Sequence, residues 1–237
     1  MMGTVVRHIQ YLYHGWKSRS ARSNQERFQH YKLMLLERTR AGGLGMFEAF
    51  LENAPQLILQ MYVMLTESTN STDDLTRIYR PASMFLSWLG VSWSLVAYYK
   101  ALKADDEDII LSNWATVFYF GWRSCEVGAR LVLLALFASQ FQWFTCIIVV
   151  VHWVLAIVLV FRRNCVCDKY MLSSKFLISF VMIFCFQDIW RSRSLGKALL
   201  FCFYIENLVM LGLWAYYTSH KDDWYYIAAI VVVLLGM

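Results

Sequence analysis

Charged residues and proline are scarce in this chain. Only 16% of its 237 residues are Asp, Glu, Lys or Arg and only two are proline, whereas 59% are hydrophobic. An ordinary soluble domain carries about 25% charged and about 45–50% apolar residues. The composition therefore excludes a typical soluble domain and predicts an all-α, polytopic helical membrane protein.

The sequence also lacks the short motifs of the common enzyme classes. It contains no G-x-S-x-G, no H-E-x-x-H, no Walker loop and no G-x-G-x-x-G. The six cysteines lie mostly within apolar runs, which is not the pattern of a secreted disulfide framework. We therefore expect no enzymatic activity, no cofactor and no bound metal. The net charge of +5 does not indicate a nucleic-acid partner, because the basic residues are concentrated in loops on one side of the predicted membrane.

Long apolar runs take the place of the missing charge. About 20 helical residues cross the hydrocarbon core of a bilayer, and six runs have about that length. They are 44–65, 81–99, 111–138, 144–161, 171–190 and 198–217. A seventh run, 224–237, has only 14 residues and is too short to span. We therefore expect this chain to be part of a longer protein.

Basic residues are distributed unequally among the connections between these runs. Sixteen lie in connections 7–40, 100–108, 162–169 and 191–197, and three lie in the opposite connections. Cytosolic loops carry the excess of lysine and arginine, so the four basic connections are predicted to be cytosolic. Run 171–190 lies between two of them and is therefore predicted to be a re-entrant helical hairpin. The alternative is an ordinary span that breaks the charge bias.

Two parts of the chain resemble each other. The sequence HGWKSRS at 14–20 is similar to DIWRSRS at 188–194. An apolar helix with an adjacent glutamate and asparagine follows each copy, and these pairs are Glu52-Asn53 and Glu206-Asn207. The shared order predicts two related repeats. In membrane proteins built from repeats, the working site commonly lies at the repeat interface.

The predicted repeats divide the chain near its middle. The first covers residues 1–99, is truncated at its N-terminus, and holds the cytosolic loop 14–43 and two spans. The second covers residues 100–237 and holds the other spans, the hairpin at 171–190, the Glu-Asn helix and a truncated last span.

Polar residues recur every fourth position on the first long apolar helix. They are Glu48, Glu52, Gln56 and Gln60. In an apolar span such a stripe must meet polar partners or water. Pro55 lies inside the stripe and is predicted to kink the helix and free a backbone carbonyl. Because an unpaired carboxylate at mid-span is costly, we expect Glu52 to pair with an arginine of the 111–138 helix.

Three charged residues occupy one face of the helix predicted at 111–138. They are Arg123, Glu126 and Arg130. Each charge at mid-bilayer costs at least about 2.5–3.5 kcal/mol, so these side chains must face protein or water. Two interpretations remain open: ion pairs within this helix or across to Glu52 and Glu206, or a polar track through the bilayer. His152 is alone in a very apolar run, which is more typical of a hydrogen-bonded packing residue than of a ligand.

The sequence FLENAPQLILQ at 50–60 resembles the F-L-E-S-A-P-Q-L-x-L-Q signature of the XK and XK-related membrane proteins, with Asn53 as a mild departure. Two later segments resemble other helices of that family. Segment 122–139 begins with Trp-Arg and ends with Leu-Phe-Ala-Ser, and segment 205–216 contains Ile-Glu-Asn and then Leu-Trp. These similarities follow the family's order over nearly the whole chain.

The resemblance implies a multi-pass plasma-membrane protein that scrambles phospholipids between leaflets without ATP. Several family members expose phosphatidylserine in apoptotic cells after a caspase trims their cytosolic tail. The family also has two related repeats with membrane-dipping helices. The implied partners are membrane phospholipids, a single-span chaperone subunit or a lipid-transfer protein, and a second copy in a homodimer.

On this interpretation, a set of polar residues forms a headgroup pathway or a buried charge network. The set is Glu48, Glu52, Gln56, Arg123, Glu126, Arg130, Glu206 and Asn207. Arg123 and Arg130 would bind phosphate, for which the planar arginine fork is suited, and the glutamates would balance charge and bind amines. Two alternatives stay open: a channel or solute transporter that lines an aqueous pore with the same charges, and a non-transporting scaffold that binds a lipid-transfer protein.

Overall fold

The computed structural model describes residues 2–66, 74–106, 112–162, 172–186, 193–218 and 225–237, and these form helices and connecting turns without any β-strand. The helices are α1 (Met2–Ser20), α2 (Asn24–Glu48), α3 (Ala54–Thr66), α4 (Asp74–Asp106), α5 (Asn113–Phe141), α6 (Trp143–Arg162), α7 (Leu172–Val181), α8 (Arg193–Tyr217) and α9 (Tyr225–Leu235). The predicted all-α class is confirmed for this part of the chain. Most of the 188–194 motif lies outside it.

Three helices in the described ranges are long and apolar enough to cross a membrane. They are Asn113–Phe141, Trp143–Phe161 and Leu199–Tyr217. These helices coincide with three of the apolar runs recognised in the sequence. The runs at 44–65 and 81–99 are also helical, and their membrane crossing stays a prediction.

A π-helical turn, Ala49–Asn53, joins α2 to α3. It lies directly before Pro55, which has no N–H to donate and whose ring would clash with the carbonyl four residues earlier. The wider π turn changes the hydrogen-bonding register at this point. Single π turns are frequent at functional sites. The predicted kink at Pro55 and the freed carbonyl stay predictions.

One residue separates α5 from α6. Gln142 adopts a left-handed conformation with φ of 36°, which few residues other than glycine adopt. Its N–H donates to the carbonyl of Ala138 at 3.0 Å, and its own carbonyl accepts from Thr145 at 3.1 Å. This short junction ends one apolar helix and begins the next without leaving these backbone groups unpaired.

The run at 171–190 is not one continuous helix in its described part. Helix α7 has ten residues and ends at Val181, which gives it a length of about 15 Å, half the hydrocarbon thickness of a bilayer. Turns follow, in which the N–H groups of Phe184 and Cys185 both donate to the Val181 carbonyl, at 3.0 and 3.2 Å. Residues 187–192 lie outside the described ranges, so the return leg of the hairpin stays a prediction.

The chain divides into two compact units. Unit 1 comprises Met1–Asn53 and Leu86–Ser124, and unit 2 comprises Ala54–Phe85 and Cys125–Met237. Compactness does not test relatedness, so the division into repeats 1–99 and 100–237 also stays a prediction. Helix α5 contributes residues to both units.

In unit 1, helix α1 packs against α2 with its polar side. Arg7 donates to the Glu37 carboxylate at 3.0 Å, and the Ser18 hydroxyl donates to the Arg27 carbonyl at 3.2 Å. The apolar side of α1 is exposed. Its largest exposed side chains include Val5, Ile9, Leu12 and Trp16. A helix with its apolar side turned outward is suited to lipid or to another protein.

An apolar cluster of unit 2 lies between α6, α7 and α8. Ala156 and Val160 of α6 are buried against Ile178 of α7 and Met182 just beyond it, and Leu199 of α8 packs on this cluster. This packing fixes where α7 ends. The backbone groups at that end are therefore held beside the polar side chains of α5, α6 and α8.

Candidate functional site: a buried charge network

A network of polar side chains lies inside unit 2, on three helices and the segment 182–186 that follows α7. Its members are Glu126 and Arg130 of α5, His152 of α6, and Glu206 and Asn207 of α8. Four of these five residues were selected from the sequence as pathway or network candidates. His152 was considered there only as a packing residue.

Arg130 is the centre of the network. Its Nη2 donates to Glu206 Oε1 at 2.6 Å, its Nε donates to the backbone carbonyl of Ile183 at 3.0 Å, and its Nη1 donates to Asn207 Oδ1. The guanidinium also lies over the Phe203 ring, 5.0 Å from its centroid. Three acceptors in three directions match the rigid fork of arginine and do not match the single ammonium of lysine.

Glu206 links Arg130 to His152. One carboxylate oxygen accepts from Arg130, and the other lies 2.6 Å from Nδ1 of His152. Nε2 of His152 in turn lies 3.1 Å from the backbone carbonyl oxygen of Met182. A continuous chain of hydrogen bonds therefore runs from α5 through α8 and α6 to the end of α7.

The network satisfies the backbone polar groups where α7 ends. The carbonyls of Met182 and Ile183 face His152 and Arg130, and the N–H of Phe186 donates to Glu126 Oε1 at 2.8 Å. The last turn of a helix leaves carbonyls without intrahelical donors. Within a membrane, irregular backbone is tolerated only where protein or a wet cavity supplies the missing partners. Ionisable side chains supply those partners here.

The structure shows one of the ion pairs that the sequence left open. Arg130 pairs across to Glu206 and, in the described part of the chain, forms no ion pair with Glu126 although the two are four residues apart. Glu126 uses a carboxylate oxygen for the backbone of Phe186 instead. Glu126 and Glu206 are thus both hydrogen-bonded to neighbouring elements.

Arg123 has a different environment, in unit 1. Its side chain is buried, its Nε donates to the Tyr119 hydroxyl at 3.0 Å, and its guanidinium lies 4.7 Å from the centroid of the Trp122 ring. Tyr119 stacks on Tyr99 of α4 with ring centroids 4.5 Å apart. Aromatic faces attract a cation and exclude water from it, so this arginine is held among rings.

The polar stripe of the first helix is less buried than expected. Glu48 is half-buried, whereas Glu52, Pro55 and Gln56 are exposed. The predicted ion pair between Glu52 and an arginine of α5 stays a prediction. The Glu206-Asn207 pair, by contrast, is fully engaged with Arg130.

A cavity of about 250 Å³ adjoins the network in unit 2. His152 and Glu206 form its polar wall, and apolar side chains of α6 and α8, such as Leu155, Leu199 and Phe203, form the rest. The cavity therefore brings a charged surface and an apolar surface together. Among the described residues, no group of three or more His, Cys, Asp or Glu side chains is placed to hold a metal ion.

His152 is the network member that is not among the site candidates from the sequence, where it is interpreted as a hydrogen-bonded packing residue. A lone histidine in an apolar helix most often makes one hydrogen bond and packs. The sequence signal that could have identified His152 as a candidate is the one that identified the arginines, because an ionisable side chain inside a span is functional by default. Its two partners come from distant parts of the chain, at 182 and 206, which sequence spacing does not reveal.

The fold and the network define a helical membrane protein with ionisable side chains buried among apolar helices. Comparison with known proteins gives the family. The family model of XK-related proteins matches residues 1–237, the whole chain. The protein belongs to the XK-related family.

Proposed function

We propose that this protein is a phospholipid scramblase of the XK-related type. It moves phosphatidylserine and other phospholipids between the leaflets of the plasma membrane without ATP, in apoptotic cells. Family membership supports this proposal, and so do the apolar helices that carry buried charges. The observation that carries it is the Arg130–Glu206–His152 network beside a cavity with one polar and one apolar wall.

The proposed mechanism makes and breaks no covalent bond. A lipid crosses a bilayer slowly because its polar headgroup loses hydration in hydrocarbon. Polar side chains along a protein surface replace that hydration, while the acyl chains stay in lipid. Arginine is suited to the phosphate by its planar fork, and carboxylates are suited to the amines of the headgroup. Polar groups that open beside apolar walls, as in the cavity of unit 2, have this combination of surfaces.

The proposal includes the re-entrant hairpin at 171–190. Helix α7 is about half as long as a span, and ionisable side chains hold the turn that follows it. A hairpin places both flanks in the cytosol. Cysteines introduced at 169 and 197, in a chain without native thiols, should then be blocked by the same cytosolic reagent. Lys221→Cys serves as the control on the predicted opposite side. Labelling at 197 from outside alone would exclude the hairpin.

One observation favours a purely structural role. Three guanidinium nitrogens of Arg130 and both carboxylate oxygens of Glu206 are already engaged by protein groups. A network so complete is what a non-transporting scaffold needs to hold its helices together. Such a scaffold would act by binding a lipid-transfer protein, with the buried charges serving assembly alone.

Reconstitution of the full-length protein in vesicles tests the proposal. Fluorescent phospholipids in both leaflets are quenched from outside, and scrambling makes the inner-leaflet pool accessible. Vesicles without protein, and vesicles with an unrelated helical membrane protein, are the controls. Lipid exchange in both directions supports the proposal. Ion or solute flux without lipid exchange would identify a channel or transporter. Absence of both lipid exchange and flux would favour the non-transporting scaffold.

A further inference from the structure

Both ring nitrogens of His152 face hydrogen-bond acceptors. Nδ1 lies 2.6 Å from Glu206 Oε2, and Nε2 lies 3.1 Å from the carbonyl oxygen of Met182. A neutral imidazole has one donor nitrogen and one acceptor nitrogen. The backbone carbonyl only accepts, so Nε2 must carry a proton. The contact with Glu206 then requires a second proton, held between Nδ1 and the carboxylate.

We propose that His152 is a positioning residue that works as a proton-dependent latch on the segment 182–186. With the second proton present, the imidazole joins the Glu206 carboxylate to the Met182 carbonyl. The end of α7 is then held from α6 by His152 and from α5 by Arg130. The latch regulates the site of the proposed scramblase, and its effect on lipid movement rests on that proposed function. The latch itself is a property of the turn.

Loss of the proton releases the turn and not the carboxylate. A neutral His152 has one N–H for two acceptors. The charged Glu206 forms the stronger hydrogen bond, because bonds to ionised groups are roughly twice as strong as neutral ones. The imidazole therefore keeps its N–H on Nδ1 and turns a lone pair on Nε2 toward the Met182 carbonyl. Two acceptors now face each other, and the Met182 carbonyl loses its partner.

The polar and charged groups around His152 come from each element packed against it. Helix α8 presents Glu206 and, along the adjoining cavity, the thiol of Cys202. Helix α5 presents Arg130, which pairs with Glu206, and Glu126, which binds the far side of the turn. The turn presents backbone groups, and α6 has no further acid or base within one turn of His152. Glu206 thus lies between Arg130 and His152, and Glu126 lies on the far side of the turn.

The proton has a route to this site. The His152 side chain is 16% exposed, and it lines the cavity of about 250 Å³ between α6 and α8. Histidine is the side chain whose charge ordinarily changes between about pH 5 and pH 8. A change of protonation at this side chain reaches the turn through the Met182 carbonyl.

Hydrogen exchange of the full-length protein in lipid nanodiscs tests the latch. The exchange rates of the backbone amides of 182–186 are measured at about pH 5.5 and about pH 8. Each rate is divided by the intrinsic rate of an unprotected amide at that pH. We expect the wild-type turn to lose protection about tenfold at the higher pH, the effect of one hydrogen bond. His152→Gln, whose side-chain amide donates in the position of Nε2, should show equal protection of the turn amides at both pH values. His14→Gln, a matched histidine change in unit 1, should behave as wild type.

Two results would overturn the latch: equal protection of the wild-type turn at both pH values, or the same pH dependence in His152→Gln. If His152→Gln does not fold, the nitrogen-15 spectrum of histidine-labelled wild type decides without a variant. A protonated Nε2 of His152 at the lower pH that loses its proton at the higher pH supports the latch, and a ring whose protonation is the same at both pH values excludes it. None of these measurements needs lipid transport. A protein that shows the latch and no scrambling therefore refutes the proposed function and leaves the latch standing.

Discussion

The guanidinium of Arg130 lies 2.6 Å from the carboxylate of Glu206, with the arginine side chain fully buried and the glutamate side chain 27% exposed. The two residues belong to α5 and α8, both apolar enough to span a membrane. The pair joins these helices through charges that neither helix could carry alone in lipid. It also holds the turn after α7, because Arg130 donates to the Ile183 carbonyl as well.

Breaking this pair from one side should destabilise the protein strongly. Arg130→Met leaves the Glu206 carboxylate without its cation, and the loss of one partner of a buried pair typically costs about 3–5 kcal/mol. The double variant Arg130→Met, Glu206→Leu removes both charges and should recover much of that loss. Thermal unfolding in detergent measures all three forms. Leu208→Ala, at an exposed position beside the pair, is the control. A double variant as unstable as Arg130→Met would show that the charges are not coupled.

Glu126 should tolerate the loss of its charge better than the loss of its oxygen. Its carboxylate accepts from the Phe186 N–H at 2.8 Å. Glu126→Gln keeps an acceptor at that place, whereas Glu126→Leu leaves a backbone donor unpaired, at about 1–3 kcal/mol. Hydrogen exchange at Phe186 and thermal unfolding should therefore rank wild type, Gln and Leu in that order. Equal loss in Gln and Leu would mean that the negative charge, and not the backbone bond, is what matters.

The sequence was sufficient for the helices and for most of the network, but not for its connections. Apolar runs predict spans because helix length and bilayer thickness are fixed quantities. A charge inside such a run predicts that a partner exists, but it does not identify the partner. That depends on which helices are neighbours, and so Arg130 was found while its pairing with Glu206 remained one of several options. Backbone acceptors such as the Met182 carbonyl have no sequence signal at all.

The polar stripe of the first helix shows a second limit of prediction from sequence. Spacing placed Glu52 on a polar face of an apolar helix and predicted a buried ion pair, whereas the structure leaves this side chain exposed. Periodicity fixes which residues share a face, but not what that face meets.

Glu52 should therefore matter for transport and not for stability. An exposed side chain contributes little to folding, so Glu52→Gln should change the unfolding free energy by no more than about 0.5 kcal/mol. If lipid headgroups pass along this stripe, the same change should slow lipid exchange in vesicles. Gln60→Glu, about two turns further along the same face, tests whether charge at another position of the stripe compensates. A Glu52→Leu protein with normal stability and normal lipid exchange would show that the charge is dispensable.

Arg123 separates a lipid-binding role from a structural one. It lies nearer than Arg130 to the end of α5 that the basic connections place in the cytosol, the side from which phosphatidylserine starts. Arg123→Lys keeps the charge but loses the planar two-pronged contact that suits phosphate. We expect normal amounts at the cell surface and roughly tenfold slower scrambling, the effect of one charge-assisted hydrogen bond.

Tyr119→Phe is the matched control, because it removes the hydroxyl that accepts from Arg123 Nε and keeps the ring beneath the guanidinium. This control should scramble at nearly the wild-type rate. If Arg123 only holds helices together, surface amount and scrambling should fall in parallel in Arg123→Ala and recover in parallel in Arg123→Lys. Normal surface amounts with normal scrambling in both variants would remove Arg123 from the mechanism.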